Sequence, residues 1–177
     1  MVKLVNYIKP EEFDKILKGE KKKEFKLAYL FAYGSGLRIS EIIGYKRKDG
    51  AEIQPIQKGQ IDTTGKTIKI IGGKGLKDRI VPLFPNFKED YFKMLPLQIK
   101  RSTLQTHFKV LCKKILGKTY HFHQLRHGFA VASIKRGVKL NFLQMALGHS
   151  RLDTTGIYLQ SDPQDMLEDY KKSWGEI

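Results

Sequence analysis

Three short stretches of this 177-residue chain hold residues whose types and spacing could do chemistry: His123-Gln124-Leu125-Arg126-His127, Leu147-Gly148-His149-Ser150, and Tyr158. His123 and Arg126 fall three apart in a segment that reads as helix, so their side chains leave from one face. His149 closes the next helical run, and Tyr158 follows nine residues later. Two bases, a guanidinium and a phenol, with no acidic cluster beside them to hold a metal, suit chemistry at a phosphodiester.

The composition points to the same kind of partner. Lys and Arg number 33 against 18 Asp and Glu, a surplus of +15, and the sequence pI is about 9.8. A surplus that large in so short a chain makes a polyanion, and nucleic acid first among polyanions, the leading partner. The single cysteine, Cys112, rules out an intrachain disulfide framework and a cysteine-based zinc site. Reducing conditions, hence the cytoplasm, are the expected workplace. No apolar run approaches the roughly 20 residues that span a bilayer, and Met1-Val-Lys-Leu-Val-Asn-Tyr7 lacks a signal-peptide core. A membrane partner is not expected.

The elements that must position these groups can be read in order. Pro10-Glu11-Glu12-Phe13 opens a helix that Gly19 ends, with acids in the first turn where the dipole favours them. A second helix follows Lys21-Lys22-Lys23, and its broad apolar face (Phe25, Leu27, Ala28, Leu30, Phe31, Ala32) marks it as central and buried. After Gly34-Ser35-Gly36 a third helix begins with Leu37-Arg38-Ile39-Ser40-Glu41. Arg38 sits at the mouth of this buried-looking segment, so it must be paired or must face an anion. An ion pair with Glu41 at i+3 satisfies the first demand, and it can also orient Arg38 for the second.

Residues 45–58 are polar and read as an irregular loop. From residue 59 the period changes to that of strands, around Ile61, Lys66–Ile71 and Arg79–Leu83, with Gly72-Gly73-Lys74-Gly75 as a hairpin turn and Lys74 at its tip. This is not a phosphate-binding P-loop, because strand follows it and no Ser or Thr follows the lysine. A short helix is expected over 87–94. Ser102 is expected to cap an amphipathic helix with Leu104, Phe108, Leu111 and Ile115 on its stripe, Cys112 bordering it as a small core residue. The His123 helix ends at Gly137, Phe142–Leu147 forms the next, and Asp153-Thr154-Thr155 starts another turn that carries Tyr158. The expected fold is therefore mostly α with a small antiparallel β-sheet.

Five fragments together carry a resemblance. Gly36–Ile42, the hairpin Gly73–Pro82, His123–His127, Leu147–Ser150 and Thr154-Thr155-Gly156-Ile157-Tyr158 resemble, in order, the catalytic domain of the tyrosine recombinase (phage integrase) family. The resemblance covers residues from about 25 to 160. It implies a catalytic domain over 1–160, with 161–177 as a tail whose Met166, Leu167, Tyr170 and Trp174 dock in cis or on a neighbouring protomer. It also implies site-specific breakage and rejoining of double-stranded DNA by protomers assembled as dimers or tetramers.

In the implied mechanism Tyr158 attacks the scissile phosphate to give a 3′-phosphotyrosine and a free 5′-hydroxyl, conserving the bond so that neither ATP nor another cofactor is needed. A phenol with a pKa near 10 needs a base, a role the resemblance gives to His123. Arg38 and Arg126 grip the non-bridging oxygens, His149 adds a hydrogen bond to them, and Lys74 protonates the leaving 5′-oxygen. No metal is implied. The family's other histidine match, His127, is expected to be structural.

Three departures from the family pattern stand out. The 177 residues are expected to leave no room for the separate N-terminal helical domain that many members carry, which fits either an excised catalytic domain or a naturally minimal protein. The interval between Arg38 and Lys74 is longer than usual, with the excess in 45–58. The segment after Tyr158 is short. Two further readings stay open on the sequence: a type IB topoisomerase-like enzyme with the same chemistry, and a catalytically idle DNA-binding module.

Overall fold

A computed structural model describes residues 7–46, 50, 52–72 and 78–148 of the chain. The fold is built on α2 (Lys23–Gly34), which buries Phe25, Leu27, Ala28, Tyr29, Phe31, Ala32 and Tyr33, residues that wrap around most of its circumference. A helix apolar on so much of its surface must be covered on several sides. It is covered by α5 (His123–Lys135), which packs along it, and by the aromatic rings of α4 (Arg101–Leu116). Tyr29 meets Phe108 edge-on at 5.0 Å between centroids, and the fully buried Tyr29, Phe31, Phe108 and Phe129 centre the core. Each such ring contributes on the order of 2–3 kcal/mol of burial.

Helix α1 (Pro10–Gly19) starts where the sequence predicts and lies against α4. Pro10 occupies its first turn, and the Glu12 carboxylate accepts the Lys9 backbone N–H at 3.1 Å. In α4 the buried stripe is Leu104, Phe108 and Cys112, so the cysteine belongs to the stripe rather than to its border. Burial pushes the Cys112 thiol up to about 12, which leaves it inert. The expected cap at Ser102 is corrected: Lys100 is the N-cap and no side chain caps the helix, so Ser102 already lies inside the first turn.

The sheet runs antiparallel in the order β3 (Ile61–Asp62), β4 (Thr67–Ile70), β5 (Arg79–Pro82), with Ile68 opposite Val81 and Ile70 opposite Arg79. Ile68, Ile70 and Val81 point into the core while Lys69 and Ile80 point out, the alternation that fixes the register. The stretch read as an irregular loop contains a second, two-stranded antiparallel sheet, β1 (Tyr45–Lys46) with β2 (Glu52–Ile53). The short helix expected over 87–94 is a 3₁₀ segment, Glu89–Met94.

The mostly α architecture with a small antiparallel β component holds, with two sheets in place of one among the described residues. Two further short helices belong to it, α3 (Ile39–Ile43) and α6 (Leu140–Leu147), the latter beside β5. Among the described residues no helix is long and apolar enough to cross a membrane. The tip of the β4–β5 hairpin with Lys74, the segment with His149 and Tyr158, and the tail 161–177 lie outside the described residues.

Candidate active site

Two turns bring the key arginines together. Gly36, between α2 and α3, has φ +69, a conformation that suits glycine. A Cβ there would come within 2.6 Å of the Phe129 ring, so the turn presses directly on α5. Arg126 sits one helical turn before Phe129, almost fully buried at 4% exposure, and donates to the Gly36 carbonyl at 2.7 Å. Two residues after Gly36, Arg38 caps α3. Its backbone N–H donates to the Glu41 carboxylate at 2.8 Å, and its guanidinium pairs with the same carboxylate at 3.2 Å.

The second turn is the end of α6. The last carbonyls of a helix have no partner within it, and the helix dipole makes that end negative. Here three successive carbonyls each take a guanidinium: Ala146 from Arg79 Nε at 2.8 Å, Leu147 from Arg126, and Gly148 from Arg38 at 3.4 Å. Gly148, in the left-handed region at φ +59, turns the chain there, and a Cβ on it would come within 3.2 Å of the Arg79 side chain. The next residue in sequence is His149.

One carboxylate, Glu41, serves the cluster. It is 5% exposed and accepts from Arg79 at 2.9 and 3.0 Å as well as from Arg38. Burial pushes its pKa up, but hydrogen bonds and charge from Arg79 and Arg38 outweigh this and hold it below the ordinary glutamate value. Among the described residues, three guanidinium charges thus stand against one carboxylate. The surplus is felt at Arg126, whose pKa is lowered by burial and then by the Arg38 charge, with Glu41 opposing and Arg79 adding to the repulsion. A guanidinium nevertheless keeps its proton at neutral pH. Among the described residues, two carbonyls engage Arg126 through one N–H on each terminal nitrogen, so its five N–H donors are not exhausted. A buried surplus of positive charge beside uncommitted donors is a site for an anion.

His123 opens α5 three residues before Arg126, with its ring exposed and edge-on to His127 at 4.6 Å between centroids. Of the six residues singled out from sequence, the structure brings Arg38 and Arg126 to one spot and sets His123 on the helix that carries Arg126. Lys74, His149 and Tyr158 lie outside the described residues. Among the described residues no group of three His, Cys, Asp or Glu could hold a metal ion.

Sequence reasoning missed Arg79. The available signal was its phase: it lies two residues from the buried Val81 on the same strand, so it points inward. The other described tyrosines are engaged elsewhere. Tyr29 and Tyr120 donate to the buried Glu20 and Glu12, Tyr33 stacks on Phe13, Tyr91 packs on Phe84 and Phe87, Tyr45 lies under Arg101, and Tyr7 meets Lys135.

Comparison with known proteins extends this picture. The phage integrase family matches residues 83–165. A tyrosine recombinase of Pseudothermotoga lettingae is 29% identical over 189 residues, spanning 96% of this chain and 61% of the relative. The tyrosine recombinase XerA of Thermococcus onnurineus is 31% identical over 170 residues, spanning 86% of this chain and 56% of the relative. The chain therefore spans little more than half the length of these relatives. The solved integrase from mycobacterium phage Brujita shares the fold with a TM-score of 0.68 at 19% identity, over 99% of this chain and 60% of that one.

Proposed function

Since this chain belongs to the tyrosine recombinase (phage integrase) family, we propose that it breaks and rejoins double-stranded DNA at specific sites through a 3′-phosphotyrosine intermediate. The observation that carries this reading is the buried, positively charged meeting of Arg38 and Arg126 at the end of α6. It is a preformed seat for a phosphodiester. In the proposed reaction the Tyr158 oxygen attacks phosphorus as its proton leaves to His123, and the bond to the 5′-oxygen breaks as Lys74 gives that oxygen a proton. The energy of the broken phosphoester is kept in the phosphotyrosyl bond, so resealing needs no energy-rich cofactor.

Arg38 and Arg126 neutralise the charge that grows on the non-bridging oxygens in the pentacoordinate state. His149, one residue beyond the carbonyl held by Arg38, adds a donor to the same oxygens. Tyr158 is favoured as nucleophile because Tyr29 and Tyr33 are driven to high pKa by burial and the remaining described tyrosines are engaged with Glu12, aromatic rings, Arg101 or Lys135 rather than with Arg38 or Arg126. Residues 1–160 act as the catalytic unit, and 161–177 serve as a docking tail in assembly on DNA. A buried free thiol at Cys112 and a DNA substrate both fit work in the cytoplasm.

A nicked duplex incubated with the protein in chelator and resolved on a denaturing gel tests the reading. A covalent protein–DNA adduct is expected from the wild type and none from Tyr158→Phe, which still binds DNA. Absence of any adduct would reduce the chain to a DNA-binding module. Efficient relaxation of a supercoiled plasmid without a recognition site would reassign it to the topoisomerase-like chemistry.

A further inference from the structure

We propose that Arg79 is a positioning residue for strand cleavage, acting on Arg38 through Glu41 without touching DNA; the inference rests on the strand-transfer reading above. Arg79 points inward from β5 and is only 11% exposed. Each of its three guanidine nitrogens is committed: Nε to the Ala146 carbonyl at 2.8 Å, and the two terminal nitrogens to the two Glu41 oxygens at 2.9 and 3.0 Å. This is a bidentate fork on a carboxylate, the tightest geometry a guanidinium offers. Among the described residues each nitrogen of Arg79 thus has a protein acceptor, and the side chain is less open than that of Arg38.

Arg38 shares the same carboxylate under different terms. Its contacts are longer, 3.2 Å to Glu41 and 3.4 Å to the Gly148 carbonyl, and its side chain is 30% exposed. If Glu41 had only Arg38 as a partner, the carboxylate would cancel the charge that Arg38 must offer a phosphate. With Arg79 forking the carboxylate more closely, Glu41 is already compensated, and it holds the Arg38 backbone and side chain in place while the Arg38 charge stays available. Arg79 also ties the end of α6 to this carboxylate, so the turn that leads to His149 is fixed relative to Arg38. Lysine cannot reproduce the arrangement, because an ammonium has no planar fork and no Nε to reach a second acceptor.

The test measures adduct formation by wild type, Arg79→Lys and Glu41→Asp on two nicked duplexes, one with an ordinary scissile phosphate and one with a methylphosphonate there. The methylphosphonate has lost the charged non-bridging oxygen that Arg38 answers. Both variants are expected to cleave the ordinary duplex about a hundredfold more slowly, the scale of a small misplacement of a catalytic group, with unchanged DNA affinity. On the methylphosphonate the gap between variant and wild type is expected to shrink towards unity. An equal defect on both duplexes would mean a purely structural role, and a wild-type rate for Arg79→Lys would mean none; either overturns the proposal. Should Arg79→Lys fail to fold, Glu41→Asp perturbs the same bridge from its other end and decides the matter alone. If the wild type itself forms no adduct on the ordinary duplex, the strand-transfer reading fails and this inference falls with it.

Discussion

Replacing Glu41 by glutamine removes the one carboxylate that pairs with the arginine cluster among the described residues, while keeping its volume. The carboxylate accepts four donors: the Arg38 backbone and one Arg79 nitrogen on Oε2, at 2.8 and 3.0 Å, and one nitrogen from each arginine on Oε1, at 3.2 and 2.9 Å. Glutamine offers one oxygen and turns the other position into an NH₂ facing two donors. No cavity opens, so the cost is electrostatic. Removing one partner of a buried ion pair costs about 3–5 kcal/mol. Arg38 is 30% exposed, so water screens its share, and the lower end, about 3 kcal/mol, applies. At about 2–4 °C per kcal/mol for a chain of this size, the melting midpoint at neutral pH should fall by about 6–12 °C. Thermal unfolding followed by circular dichroism reads this directly, and cleavage should drop in the same variant as Arg38 loses its orientation. An unchanged midpoint together with wild-type cleavage would refute the argument that Glu41 holds the cluster.

Other consequences follow from the same contacts. Arg126→Ala should lower cleavage by about a hundredfold or more, the scale on which a charge-stabilising donor acts, and a single-turnover assay on a nicked duplex measures it. The buried carboxylates Glu12, Glu20 and Glu41 all have depressed pKa values: burial opposes ionisation, but Lys118 and Lys9, then Lys22 and Tyr29, then Arg79 and Arg38, respectively, outweigh it. Depressed folded-state values mean stability that is fully present above the ordinary glutamate range and lost as pH falls through the folded-state values. Melting midpoints should therefore be flat above about pH 5 and fall steeply on acidification, and Glu41→Gln should flatten that acid limb. DNA affinity should fall by about a thousandfold or more between about 50 and 200 mM salt if six or more phosphates are engaged; titrations at several salt concentrations give the slope.

Much of this site was legible in the sequence because its parts obey local rules. Arg38 and Glu41 stand at the N-cap and N3 of a short helix, a spacing that brings a carboxylate back onto the cap. His123 and Arg126 share a helix. The glycines at 36 and 148 mark the turns that bring these elements close. What escaped was non-local. Arg79 reaches Glu41 across 38 positions and Ala146 across 67, and no pattern within one strand announces such partners. The β1–β2 pair was missed because two-residue strands are too short to establish an alternation. The α4 start was misplaced because Ser102 is a favoured cap by type, whereas the chain turns helical before it, at Arg101, without any side-chain cap.

The central claim is that the arginine cluster seats a phosphate for attack by one particular phenol. Trapping the protein on a nicked duplex, digesting the adduct with trypsin and nuclease, and sequencing the modified peptide by mass spectrometry tests it most directly. The expected product is a nucleotide joined through its 3′-phosphate to Tyr158, on the peptide that begins at Leu152, in a yield that collapses when Arg126 is replaced by alanine. A phosphate found on another side chain, or a yield indifferent to Arg126, would contradict it.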